Sequence, residues 1–192
     1  MEHELLLAYD TTIEGWMRAL GLKDRETEGH SYRLAGLSLA LAQMLGMGND
    51  ELIHLRHSAL LHDIGKMGIP DAILNKPGPL SDAEWVLARR HPEFGFEILS
   101  PIQFLEPAAQ TAYCHHENWD GSGYPRGLKG EDIPLMARIV SVCNVFDSLA
   151  SDQRYRKGWD KKVASGYIER AAGKQFDPQI VVAFMRVIAD EK

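Results

Sequence analysis

Cysteine is scarce in this chain: two residues among 192, Cys114 and Cys143, with no Cys-x-x-Cys spacing. That scarcity argues against a disulfide framework and against a thiolate zinc site, and it suits a reducing compartment. Both thiols read as small buried apolar residues. Positive charge is not in excess either. Lys and Arg number 21 against 27 Asp and Glu, a formal net charge of −6, so no chain-wide basic footprint invites DNA or RNA. A polyanionic partner has to be met by a local patch. Long hydrophobic runs are also missing. The longest uncharged stretch, Leu34 to Asn49, carries Ser38, Gln43 and Asn49 and falls short of the roughly 18 to 20 apolar residues of a membrane span. The start, Met1-Glu2-His3-Glu4, is acidic where an export signal is basic, so a cytoplasmic location is expected. Repeats, low-complexity tracts and Pro/Ser-rich linkers are absent, and the length fits one domain with a substantial core.

What is present is helical periodicity punctuated by turns. Leu6, Tyr9, Ile13, Trp16 and Leu20 recur at helical spacing and are expected to stop at Gly21; Leu34, Leu37, Leu41 and Leu45 repeat the pattern up to Gly46. Asn49 or Asp50 is placed to cap a third helix, in which Leu52, Leu55, Ala59 and His62 share an inward stripe. Ser81 with Glu84 forms a capping box, and Pro92 puts His91 at a helix break. Pro107 starts a helix ending in His115-His116, Ile139 to Leu149 marks another, and Asp177-Pro178 opens the last. Nothing alternates with period two for long enough to build a sheet. The expected fold is all-α, a compact helical bundle.

The chemistry gathers on histidines and carboxylates. Leu61-His62-Asp63-Ile64-Gly65-Lys66 sets an imidazole beside a carboxylate at a helix end. Successive helical residues diverge by about 100°, so His62 can take one metal ion while Asp63, with two oxygens, bridges two. Glu26 and His30 stand four apart and share a helix face. His91 and the pair His115-His116 follow. Imidazole and carboxylate donors without thiolate suit iron and manganese as well as zinc. His54 and His57 have no carboxylate at ligand spacing and are read as structural; His3 lies at the terminus. After the paired histidines runs Glu117 to Gly130, a loop with four glycines that let backbone approach a ligand, and Tyr124 offers it an aromatic face.

His62-Asp63 together with Gly123-Tyr124-Pro125 resembles the HD-GYP family, bacterial phosphodiesterases of the second messenger cyclic di-GMP. The resemblance runs from about Tyr9 to the C-terminus. It includes Leu61 to Pro70, Lys76-Pro77-Gly78, His91-Pro92, His115-His116-Glu117, Asp120 to Gly130 and Gln175-Phe176-Asp177-Pro178. It implies a helical phosphohydrolase domain over residues 23–192, preceded by a connector helix over 1–22, with two or three divalent ions, iron or manganese favoured. Carried over, His30, His62, Asp63, His91, His115 and His116 hold the metals, Asp63 bridging, and Glu26 serves a third ion. Lys66 contacts the scissile phosphate. Gly123, Tyr124 and Pro125 shape the guanine and phosphate pocket, and Arg154, Arg156 and Lys157 face the ligand's phosphates. The reaction implied is hydrolysis of cyclic di-GMP to pGpG or GMP. The partners implied are the cyclic dinucleotide and a receiver or sensory domain. The stripe of the first helix is free to pack within the domain or against a second subunit, and packing within the domain is expected.

Two positions depart from the family pattern. Asn144 stands where a metal-binding aspartate is usual, so that ligand brings no charge, and Asp147 lies three residues on, near the same face. Gln153 stands where an arginine is usual, with Arg154 next to it. These departures leave two further readings: a metal- and nucleotide-binding signalling module with weakened or no catalysis, and a hydrolase of another phosphate ester or cyclic dinucleotide.

Overall fold

The computed structural model describes residues 2–24, 27–152 and 156–190. Among these described residues ten α-helices follow one another: α1 (Glu2–Lys23), α2 (Thr27–Met44), α3 (Asn49–Leu61), α4 (Asp71–Leu74), α5 (Asp82–Ala88), α6 (His91–Leu99), α7 (Glu106–Cys114), α8 (Leu135–Ala150), α9 (Lys161–Arg170) and α10 (Pro178–Asp190). Three short 3-10 turns, Ile64–Gly68, Gln103–Leu105 and Gly130–Asp132, join them. No strand occurs among the described residues, so the architecture is all-α as expected. No helix there is long and apolar enough to cross a membrane.

Helix α8 runs through the core. Its Ile139, Val140, Val142, Cys143 and Phe146 are buried, packed against α2, α7, α9 and α10, and Phe146 meets Phe184 of α10 edge-on at 5.1 Å. Burying one such side chain is worth about 1.5–3 kcal/mol, which fixes α8 as the beam from which Asn144 and Asp147 reach the cleft. Ile13, Met17 and Leu20 bury the stripe of α1 against α2 and α3. Both cysteines are buried and free, and burial pushes their thiols up, Cys114 to about 11 and Cys143 to about 12.

Four local details differ from the sequence reading. Helix α1 runs through Gly21 to Lys23, with the Asp24 amide still donating to the Leu20 carbonyl at 2.7 Å. Glycine inside a helix costs about 1 kcal/mol; burial of Met17 and Leu20, and Lys23 Nζ donating to the Met67 carbonyl at 2.8 Å, outweigh it. The residue capping α3 is Gly48, not Asn49 or Asp50; its extended backbone presents an N–H to Glu51 Oε2 at 2.8 Å. His91 opens α6 instead of lying in the break, which falls at Arg89-Arg90, and Pro92 occupies the first turn, where no N–H is needed. Helix α9 had no clear signal in the sequence; Asp160 caps it, accepting from the Lys162 amide at 2.8 Å.

Candidate metal centre

The ends of three helices meet at one place. His62 caps the C-terminus of α3, His115 and His116 follow the C-terminus of α7, and His91 begins α6. The negative ends of the α3 and α7 dipoles thus converge where a cation is favoured. Gly65 makes the convergence possible: a Cβ there would overlap the His91 carbonyl oxygen and the Gly95 nitrogen. Only glycine lets the turn after Asp63 sit against α6.

His62, His91 and His115 share one hydrogen-bonding device. Each has Nδ1 against the carbonyl three residues back, Ala59 at 2.8 Å, Ala88 at 2.8 Å and Ala112 at 2.9 Å. A carbonyl only accepts, so Nδ1 carries the proton and Nε2 of the neutral ring presents a lone pair. These lone pairs aim at one carboxylate. His91 and His115 Nε2 lie 3.4 and 3.6 Å from Asp63 Oδ1, and His62 Nε2 lies 3.2 Å from Oδ2. His116 Nε2 is 3.1 Å from His91 Nε2. One donor atom from each of Asp63, His91, His115 and His116 lies within 4.8 Å of the others, and His62 Nε2 is buried with no hydrogen-bond partner.

Burial keeps the His62, His91 and His116 imidazoles neutral, the form that binds metal. It lowers His62, pushes His91 down to about 4, and holds His116 well below the usual histidine range. Burial by itself would raise Asp63, yet the Lys66 ammonium 2.9 Å away holds its carboxyl well below the usual carboxylate range. Converging lone pairs around a carboxylate repel one another unless a cation lies among them. The donor set therefore fits divalent ions, with two carboxylate oxygens facing different imidazoles.

The cluster lies at the floor of a cleft of about 840 Å³. Lys66 reaches it from the turn after Asp63, its Nζ 2.8 Å from Asp24 Oδ2 and 2.9 Å from Asp63 Oδ2, and these two carboxylates raise its pKa against the opposing effect of burial. His30 and Asn144 line the same cleft. Asp147 accepts from His30 Nδ1 at 2.6 Å and, through both oxygens, from Arg33 at 2.8 and 2.9 Å.

A profile of the HD domain matches residues 16–180. The chain belongs to the HD domain family. It is 41% identical over 177 residues to the cyclic di-GMP phosphodiesterase response regulator RpfG of Xanthomonas campestris, covering 91% of this chain and 47% of that protein. It is 38% identical over 165 residues to the 3′3′-cGAMP-specific phosphodiesterase 2 of Vibrio cholerae, covering 85% of this chain and 32% of that one. The chain thus spans less than half the length of either relative. Among solved structures, an HDGYP protein from Bdellovibrio bacteriovorus superposes with a TM-score of 0.68 at 26% identity, over 83% of this chain and 51% of that one.

This HD domain brings His62, Asp63, His91, His115 and His116 together, sets Lys66 against Asp63, and puts His30 and Asn144 at the cleft wall. Glu26 and Arg154 lie outside the described residues. Arg156 and Lys157 are not among the residues lining the cleft. Arg156 donates to the Ser148 carbonyl at 2.6 Å and the Leu149 carbonyl at 3.3 Å, closing the end of α8, and lies over the Trp159 ring. Asp147 is engaged by His30 and Arg33 and is not part of the Asp63 cluster. His57 does have a carboxylate partner, Asp10 of α1 at 2.7 Å, which sequence spacing hides because the two are 47 residues apart. Reading the sequence also missed Arg33, although it lies three residues after His30 on one helix face, and Trp85 and Arg89, four apart on α5 and its end, both in the cleft.

Burial would raise the Asp147 carboxyl, but hydrogen bonds from His30 and Arg33 pull it down to about 2. A depressed folded pKa contributes stability that is present above the unfolded value near 4 and lost as pH falls toward 2. Asp147→Asn is expected to flatten the acid limb of the melting temperature against pH between those values. Melting curves of both proteins from pH 2 to 7 check this.

The loop beside the centre is held from within. Glu117 is buried and accepts from the Arg126 and Leu128 amides at 2.7 and 3.1 Å, while the Tyr124 amide donates to the His116 carbonyl at 3.2 Å. A Cβ on Gly123 would overlap the Asn118 nitrogen and the Glu117 backbone. Gly123→Ala is expected to cost about 1–3 kcal/mol, read by denaturant unfolding, and to displace Tyr124.

Proposed function

We propose that this HD domain is a metal-dependent phosphodiesterase that opens guanine-containing cyclic dinucleotides, cyclic di-GMP first, to linear pGpG and on to GMP. The observation that carries the reading is the set of converging Nε2 lone pairs around Asp63 at the floor of an open cleft. Its volume lies within the roughly 300–1,000 Å³ of small-molecule sites. The names of the relatives support the substrate class.

His91, His115 and His116 with Asp63 Oδ1 would hold one ion. His62 and His30 with Asp63 Oδ2 and the Asn144 amide would hold a second, and Glu26 a third where one binds. Iron or manganese suits neutral nitrogen and carboxylate oxygen without thiolate. Bound there, such ions lower the pKa of water toward about 7 and neutralise charge on the phosphate. Lys66 has three N–H donors; Asp24 and Asp63 take two, and the third is available to a phosphate oxygen. Asp147 fixes the His30 ring, the carboxylate–imidazole arrangement that orients metal-ligating histidines. Tyr124 stands at the cleft wall, next to Gly123, which packs against the Glu117 backbone.

Asn144 favours a second reading, a module that binds the nucleotide and signals without turnover. Protein loaded with iron or manganese and incubated with cyclic di-GMP separates the two. Linear product on chromatography supports the enzyme; tight binding with no linear product sinks it in favour of the module. Preferred cleavage of another phosphate ester in a substrate panel would overturn the assigned substrate.

A further inference from the structure

We propose that Arg89 receives the second, non-reacting phosphate of the cyclic dinucleotide, an inference that rests on the phosphodiesterase reading. Three cationic side chains line the cleft: Arg33, Lys66 and Arg89. Two are already matched. Arg33 holds Asp147 through two hydrogen bonds, and Lys66 lies between Asp24 and Asp63. Arg89 makes no ion pair with any described residue.

What holds Arg89 is aromatic. Its guanidinium carbon lies 5.0 Å from the Tyr124 ring centre and 5.8 Å from that of Trp85. Tyr124 in turn stacks on His116 at 4.8 Å with 16° between the planes. The ladder from His116 through Tyr124 places Arg89 two contacts out from the metal centre. Contacts over aromatic rings occupy the faces of a guanidinium and leave its in-plane N–H groups for an acceptor. The side chain is exposed, so this arrangement is not needed to fill a core.

The substrate's charge supplies the rest of the argument. A cyclic dinucleotide carries two phosphodiester groups, each with one negative charge. One belongs at the metal centre with Lys66. The other must enter a cleft that Asp147 and Asp152 also line, in a chain of net charge −6. Arg89 is the unmatched cation available to it among the described residues, and a guanidinium grips phosphate through paired hydrogen bonds. The arginine edge also pairs with guanine, so the test separates charge from edge recognition.

Arg89→Ala, Arg89→Lys and Arg89→Gln are compared with the unaltered chain. Cyclic di-GMP affinity is read by calorimetric titration of metal-stripped protein, and KM and kcat are measured on the loaded enzyme. The expected result is a loss of about 10- to 100-fold in affinity for Arg89→Ala, appearing in KM more than in kcat. Lysine restores most of that loss and glutamine does not. Unchanged affinity and KM in Arg89→Ala, or a glutamine variant that matches the lysine one, would overturn the proposal. An unaltered chain that neither binds nor cleaves a cyclic dinucleotide would overturn the functional reading itself, and this one with it.

Discussion

Asp63→Asn is expected to empty the metal centre and lower turnover by on the order of 10³-fold. Both Asp63 oxygens face imidazole lone pairs, Oδ1 toward His91 and His115 and Oδ2 toward His62. An amide of the same shape keeps the packing but removes the negative charge, and it turns one of two acceptors into a donor aimed at a lone pair. The two halves of the site lose their shared ligand together. Elemental analysis after dialysis checks the loss of metal. Thermal melting gives a second readout independent of turnover. An ion that binds only the folded state adds about 2.7 kcal/mol at a hundred times its dissociation constant, which for a chain of this size is a rise of roughly 5–10 °C. That rise should appear when manganese or iron is added to the unaltered chain and be absent in Asp63→Asn. A variant that keeps both its metal content and its metal-dependent stabilisation would remove Asp63 from the centre.

How far the sequence revealed this site depends on how local each signal is. His62 and Asp63 were visible because they are adjacent and because His62 continues the apolar stripe of α3. The clustering of His91 and His115-His116 with them was expected from residue type and from the family resemblance, and helices α6 and α7 bring them there. Arg89 was not visible as a site residue, because its role depends on Tyr124 crossing from a loop 35 residues later. Asp24 was not visible either. It looks like an ordinary residue at the end of α1, and only the packing of α1 beside the turn after Asp63 sets it against Lys66. Within the basic run after Asp152, Arg156 reads in the sequence as a phosphate contact, and in the fold it donates to the carbonyls ending α8. Charge in a sequence does not say which groups will claim it.

Asn144→Asp is expected to raise the affinity for the second ion by about 100-fold or more, judged against the 10- to 100-fold that even residues behind the ligands contribute. Turnover should rise with it wherever that ion is only partly bound. Asn144 lines the cleft with His30 and Asp63, one turn of α8 before Asp147. Its amide oxygen can coordinate, but it supplies no charge to offset that of a divalent ion. Asp147 cannot supply that charge instead, because Arg33 and His30 already engage both of its oxygens. That prior engagement makes the substitution clean: a carboxylate introduced at 144 finds the neighbouring arginine already paired, and its charge faces the open cleft. Without metal, the new carboxylate adds repulsion beside Asp63 and Asp147, so stripped protein should melt lower than the unaltered chain and loaded protein higher. That reversal of order with metal is the decisive measurement. If Asn144→Asp changes neither metal content nor the order of melting, residue 144 holds no ion, and the weakened-module reading loses the residue that motivates it.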